Sequence, residues 1–202
     1  MMELTKTMAN VAVTGGGLVV VLLFLACFAV LLLRGTRGDR QGEAAAKAST
    51  LSRLGIFVQM LAFGWTGFGP IHIVNNGFDA RLMVESAIIA ALCCATWLIF
   101  FRARKALAEN WSFVARTRSD HQLVQTGPYA LVRHPIYLCL MLWLVTMALA
   151  MGHPQRLFIS LPVYIIGTLI RVREEERLLR AMFGAAFDMY AAGVKRFVPG
   201  LI

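Results

Sequence analysis

Two segments of this chain concentrate the side chains that can bind charge or shape a reaction. The first runs from His121 to Tyr137 as His-Gln-Leu-Val-Gln-Thr-Gly-Pro-Tyr-Ala-Leu-Val-Arg-His-Pro-Ile-Tyr. Gly127 and Pro128 form a turn signal. His134 precedes a proline and is biased away from helical dihedrals, and Pro135 suits the first position of a helix. Backbone N–H groups at that helix start, with Arg133 and His134 beside them, would favour an anion. Tyr129 and Tyr137 offer ring faces that attract a cation. The second segment, Arg171-Val-Arg-Glu-Glu-Glu-Arg177, is followed by Leu178, Leu179, Met182, Phe183, Phe187 and Tyr190 at helical spacing. Arg171 and Glu175 are i,i+4 neighbours and can pair. Taken singly, each segment has a plainer reading. The first can be an interfacial belt that anchors a helix, and the second a solvated charge run on an amphipathic interfacial helix.

The elements that must position these segments are apolar. Of 202 residues, 58% are hydrophobic and 15% charged, against about 25% charged in a soluble domain. Mean hydropathy is +0.67. These values exclude a disordered chain, a disulfide scaffold and an ordinary soluble globule. The net charge of +9 would suggest nucleic acid in a soluble protein. Here the basic residues flank apolar runs, where topology and anionic lipid explain them, and no nucleic-acid partner is expected.

Five runs read as spans: Val11 to Leu33, Leu54 to Val74, Leu82 to Phe101, Ile136 to Gly152 and Leu157 to Ile170. The first has 23 residues without a charge, enough to cross a core that needs about 20, and reads as a retained span rather than a signal peptide. Gly64, Gly67, Gly69 and Pro70 suggest close packing and a broken end for the second. Only His153 to Arg156 separate the last two, which predicts a tight helical hairpin. Basic residues load alternate loops: Arg34 to Arg53, then Arg102 to Arg133, then Arg171 to Arg196. The positive-inside rule then puts the N-terminal end outside and both polar segments on the cytoplasmic face.

Cys27, Cys93, Cys94 and Cys139 all lie in apolar runs and read as small buried hydrophobes, with no zinc spacing among them. Gly15 to Gly17 follow no strand and form no dinucleotide fingerprint. His72 and His153 read as interfacial on the face opposite the polar segments. Glu85 lies near a span start, within reach of water.

In combination, the segments resemble the isoprenylcysteine carboxyl methyltransferase family in its small prokaryotic form, related to phospholipid methyltransferases. The resemblance rests on Asn110-Trp111-Ser112, on His121-x-Leu-Val-x-Thr-Gly-Pro-Tyr129 and on Val132-Arg-His-Pro-Ile-Tyr137. It continues through Glu175-Glu-Arg-Leu-Leu179, Phe183-Gly184, Tyr190 and Pro199. The Arg-His-Pro-x-Tyr element followed some forty residues later by Glu-Glu is the specific pair. The chain departs from the pattern at Phe187, where Tyr is common, at Ala108-Glu109, where Gly-Arg is common, and at Cys139, where a small residue is common.

The resemblance implies an all-α integral membrane protein of about five transmembrane helices. Its cytoplasmic cofactor pocket would be capped by the C-terminal helix. One domain, 1–202, would divide into three spans (1–101) and a cofactor-binding catalytic half (102–202). It implies S-adenosyl-L-methionine as methyl donor, no metal, and a lipophilic or lipidated acceptor drawn from the membrane. By the same resemblance the donor pocket comprises His121, Leu123, Val124, Gly127, Tyr129, Arg133, His134, Pro135, Tyr137, Glu175 and Glu176. His134 and the amides around Pro135 would take the donor's carboxylate, and Glu175 or Glu176 its ammonium. Arg171 or Arg173 would hold an anionic acceptor, with Arg171 and Glu175 the catalytic pair. Carboxyl O-methylation of an isoprenylcysteine-like substrate is the expected reaction. A nicotinamide-dependent sterol-type reductase and a phospholipid amine N-methyltransferase are the alternatives. A transporter fits poorly, since the spans carry few polar residues.

Overall fold

The computed structural model describes residues 13–14, 22, 50–71, 73–74, 80–107 and 123–197. Five α-helices dominate: α1 (Thr50–Gly67), α2 (Ala80–Leu107), α3 (Pro135–Ala150), α4 (Leu157–Phe183) and α5 (Ala185–Gly193). A two-residue parallel pair joins β1 (Val13–Thr14) to β2 (Ile73–Val74). Ala80–Leu107 and Pro154–Phe183 are long and apolar enough to cross a membrane. The first expected span, with Cys27 and the Gly15 to Gly17 run, lies almost wholly outside the described residues, as does His72.

α1 is inverted relative to a soluble helix. Its buried residues are Ser52, Gly55, Gln59, Ala62 and Thr66, small or polar and spaced at three and four. Leu51, Leu54, Phe57, Met60, Leu61 and Trp65 are exposed. Small residues let helix backbones approach closely where lipid covers the outer faces. The partner is α4. A methyl group added at Gly167 would sit 2.9 Å from the Gly55 carbonyl oxygen and 3.0 Å from the Gln59 nitrogen. Gly64, expected at a close contact, faces open space. The glycine that matters on α1 is Gly55, one turn before Gln59.

α1 ends at Gly67, well before Val74, because Gly69 takes φ +113° and Pro70 has no N–H to continue the ladder. The end is capped from the α3–α4 turn. His153 places its ring nitrogens 3.0 Å from the Thr66 carbonyl oxygen and 3.1 Å from that of Pro70. Arg156 donates to the Trp65 carbonyl. His153 is thus fully buried, not interfacial, since carbonyls left over at a helix end need donors. Cys93 and Cys139 are buried as expected, but Cys94 is exposed, one residue round α2 from its neighbour.

The largest departure is in α4. The run expected to stop at Ile170 continues to Phe183 as one helix of 27 residues, about 40 Å long. Arg171 therefore begins no new helix. The charged run is the continuation of an apolar helix, longer than the roughly 30 Å hydrocarbon core of a bilayer. The break comes at Gly184, with φ +51°, a conformation natural to glycine. It turns α5 away as a separate element.

Gly167→Ala is expected to destabilise the protein by about 1–3 kcal/mol, since backbone cannot yield to the added methyl. Gly64→Ala should be neutral or stabilising by up to about 1 kcal/mol. Thermal unfolding of the two variants in detergent checks the pair.

Candidate active site

The two chemistry-bearing segments meet at the start of α3. His134 caps that helix with φ −127° and ψ 57°, and Pro135 is its first residue, as the His-Pro order predicts. Upstream, Gly127 opens a 3₁₀ turn, Gly127–Ala130, with φ +62°. A Cβ there would meet the Ala106 methyl on α2 at 3.6 Å. Tyr129, in the same turn, is buried and its carbonyl accepts from the Tyr190 hydroxyl at 2.6 Å. Burial pushes the Tyr190 phenol up to about 12 and raises that of Tyr129 further, with Glu175 adding to it. Both phenols are neutral at physiological pH. Leu123 and Val124 precede the turn, each half-buried. His121 and Asn110 to Ser112 lie outside the described residues.

The three consecutive glutamates of α4 have three different partners. Successive helical residues diverge by about 100°, so their carboxylates cannot share one environment. Glu174 pairs with Arg177 across one turn at 2.8 Å. Glu176 turns inward, its side chain 5% exposed, and is held by three groups. Arg133 approaches it through Nε and Nη2, each at 3.1 Å. Arg196 adds bonds at 3.0 and 2.7 Å. His134 Nε2 lies 3.2 Å away, and an ionised carboxylate only accepts, so that nitrogen is the donor. Burial of a carboxylate is tolerated when its lone pairs are taken up in this way.

Glu175 differs. Its side chain is 38% exposed, and its Oε2 accepts from the Tyr137 hydroxyl at 3.0 Å. His134 Nδ1 stands 3.8 Å from the same oxygen. Arg171 lies over the other part of that tyrosine, its guanidinium carbon 5.0 Å from the ring centre, and donates through Nη1 to Gln59 at 3.0 Å. Arg171 and Glu175 thus bracket one phenol. Tyr137 is itself buried, and its backbone carbonyl accepts from the Tyr164 hydroxyl at 2.7 Å. Arg173 is exposed, two residues along the helix from Arg171.

Arg133 and His134, expected as an anion site, are engaged within the protein. The remaining Arg133 nitrogen donates to the carbonyls of Ala191 and Val194. The Arg133 and His134 N–H groups are taken by the Lys195 and Arg196 carbonyls at 2.8 and 3.0 Å, where the C-terminal segment runs parallel to Val132. His134 is flanked by Tyr137 and Phe197. Sequence reasoning missed Gln59, Arg196 and Phe197. Gln59 carried a signal, as a lone amide in the apolar run from Leu54 to Phe63. Arg196 was legible only as loop charge. Among the described residues no group of three or more His, Cys, Asp or Glu is placed to hold a metal ion.

Residues 82–181, which carry both segments, match the model of the isoprenylcysteine carboxyl methyltransferase (ICMT) family. Over that stretch, just under half of its length, the chain is similar to this family. Its similarity extends to protein-S-isoprenylcysteine O-methyltransferases of two yeasts. That of Schizosaccharomyces pombe (strain 972 / ATCC 24843) is 27% identical over 135 residues, 64% of this chain and 54% of the relative. That of Saccharomyces cerevisiae (strain ATCC 204508 / S288c) is 32% identical over 99 residues, 48% of this chain and 41% of the relative. The chain therefore spans about half the length of these relatives or less. A solved structure of the eukaryotic intramembrane Ras methyltransferase ICMT overlaps loosely, with a TM-score of 0.43 and 19% identity over 81% of this chain and 58% of that one. The family match takes in α4 as far as Ala181, with all three of its glutamates, but ends before Arg196 and begins after Gln59.

Glu176→Ala is expected to cost about 3–5 kcal/mol, because it leaves the largely buried Arg133 guanidinium without its carboxylate. Glu175→Ala, on the same helix, should leave the melting temperature close to that of the wild type. Unfolding of the two variants in the same detergent measures the contrast.

Proposed function

We propose that the chain is a membrane methyltransferase that uses S-adenosyl-L-methionine to methylate the carboxylate of an isoprenylcysteine-like acceptor at the membrane surface. The observation that carries this reading is the bracket of Arg171 and Glu175 about Tyr137. It is one cation and one accessible anion, built from two segments that the family match includes.

The donor set fits the cofactor. Glu175 presents a half-exposed carboxylate, steadied by the Tyr137 hydroxyl, that suits an ammonium. When bound, the cofactor supplies a methyl group on a sulfonium, a leaving group that needs no metal. The protein's part is alignment. Arg171, held over Tyr137, orients an anionic acceptor. Arg133 and His134 act one step back, through Glu176, by fixing the helix that carries Glu175. The turn around Gly127 and Tyr129, with Leu123 and Val124, stands beside the start of α3 and can line the adenosine end. Positive and negative charge cancel as a carboxylate is methylated, so water-poor surroundings favour the step.

The topology we infer has five spans, with α3 and α4 as a hairpin and the charged end of α4 on the cytoplasmic face. A polar donor arrives from water there. A prenylated acceptor is held in the bilayer by about 0.8 kcal/mol per buried CH₂, so it enters sideways from lipid.

Labelled S-adenosylmethionine should transfer methyl to a long-chain S-prenylated cysteine far faster than to a short water-soluble analogue. Equal rates would remove lateral entry, and no transfer to any carboxylate would remove the assigned reaction. Arg171→Ala should lower turnover about 10- to 100-fold, the effect of losing a charge-assisted hydrogen bond, whereas Arg173→Ala should leave it near the wild type. Cysteines introduced at positions 38 and 76 should label from opposite sides of the membrane.

A further inference from the structure

Gln59 lies outside the family match, yet it bonds directly to the group on which acceptor orientation depends. It is buried on α1 and both ends of its amide are engaged. Nε2 donates to Thr168 Oγ1 at 2.8 Å, and Oε1 accepts from Arg171 Nη1 at 3.0 Å. The orientation of this amide is chemically determined. A guanidinium has no acceptor, so only the oxygen can face Arg171, and the NH₂ must face Thr168. Thr168 and Arg171 are one turn apart on α4, so the amide clamps a single face of that helix.

The clamp depends on close helix approach. A Cβ at Gly55 would collide with the Arg171 side-chain stem and lie 2.8 Å from the Gly167 carbonyl. Arg171 therefore lies across Gly55, with its head between the Gln59 oxygen and the Tyr137 ring. A long arginine side chain is otherwise rotationally free. Here its stem, its hydrogen-bond acceptor and its π partner come from three elements, α4, α1 and α3.

The geometry points to Gln59 as a positioning residue for methyl transfer: by fixing Arg171 over Tyr137 it sets how the acceptor meets the donor, and thereby makes α1 part of the active site. This rests on the methyltransferase reading above. A purely structural tie between α1 and α4 would predict lost stability alone. A positioning role predicts a loss specific to the acceptor.

The test uses the full chain in detergent, with labelled S-adenosylmethionine and an N-acetylated S-prenylated cysteine. Gln59→Leu should lower kcat/KM for the acceptor about 10- to 100-fold, with the KM for S-adenosylmethionine unchanged. Gln59→Glu keeps an oxygen for Arg171, and its other oxygen can accept from the Thr168 hydroxyl, so it should retain most activity. In the Arg171→Ala background, Gln59→Leu should add no further loss, as expected for residues acting through one another. Thr168→Val, nearly isosteric, should move the acceptor constants in the same direction, and it decides the matter if Gln59→Leu does not fold. The role is overturned if the wild type is active and Gln59→Leu matches it. It is equally overturned if Gln59→Glu fails as badly as Gln59→Leu, or if the losses are additive with Arg171→Ala. An inactive wild type would instead overturn the methyltransferase reading and this role with it.

Discussion

The buried carboxylate of Glu176 is the constraint around which the polar end of the molecule is arranged. Three cationic or donor groups converge on it, from the residues before α3 and from the C-terminal segment beyond α5. A charge this far from water is tolerated only with its lone pairs filled. Arg133 brings two N–H groups to one oxygen, Oε1, while Arg196 spans both oxygens as a two-pronged fork from the other side. The same Arg133 also ties down the carbonyls of Ala191 and Val194. One ionic centre thus fixes the start of α3, the polar part of α4 and the chain after α5 relative to one another. Because helical neighbours diverge by about 100°, fixing Glu176 inward aims Glu175 outward, beside Tyr137. Rigidity at one carboxylate leaves the adjacent one accessible.

The apolar part of the molecule obeys a different rule. Among the described residues of α1, bulk faces out while small or polar side chains face in. Where lipid rather than water surrounds a helix, burying leucine against leucine gains little, and close backbone approach with hydrogen bonding does more. Gly55, Gly167, Gln59 and Thr168 supply that approach and bonding. The buried hydroxyls of Thr66, Thr96 and Thr146 bond their own helix, donating to carbonyls four residues back. These two rules meet at Arg171, which leaves the small-residue seam of α1 and α4 and reaches the polar end over Tyr137.

Much of the local structure was legible without coordinates. Apolar run length marked α2 and α3, and the His-Pro order fixed the start of α3 to the residue, since proline fits the first turn and constrains its predecessor. Glycine and proline marked the end of α1 near Gly69. The pairing of the Arg-His-Pro-x-Tyr element with the glutamate run pointed to the family, and the match over residues 82–181 agrees with it. These features are short-range, or depend on residue types that accept few environments.

Periodicity could not apportion the glutamates. Three adjacent carboxylates look alike in a sequence, and only the packing of α4 makes Glu176 a buried tie, Glu175 an accessible group and Glu174 a partner for Arg177. It could not show that α4 runs unbroken past Ile170, because a charge run ends an apolar stretch without ending a helix. Nor could it tell that Gly55 rather than Gly64 meets a neighbour, or that His153 is buried, since both depend on which face another helix covers. The sequence by itself determined the apolar, helical character of the chain, the punctuation of its helices and the residue types available for binding. Which of those residues touch was decided by tertiary structure, because contacts such as Gln59 with Arg171 and Glu176 with Arg133 join segments 112 and 43 residues apart, and no local preference encodes such pairings.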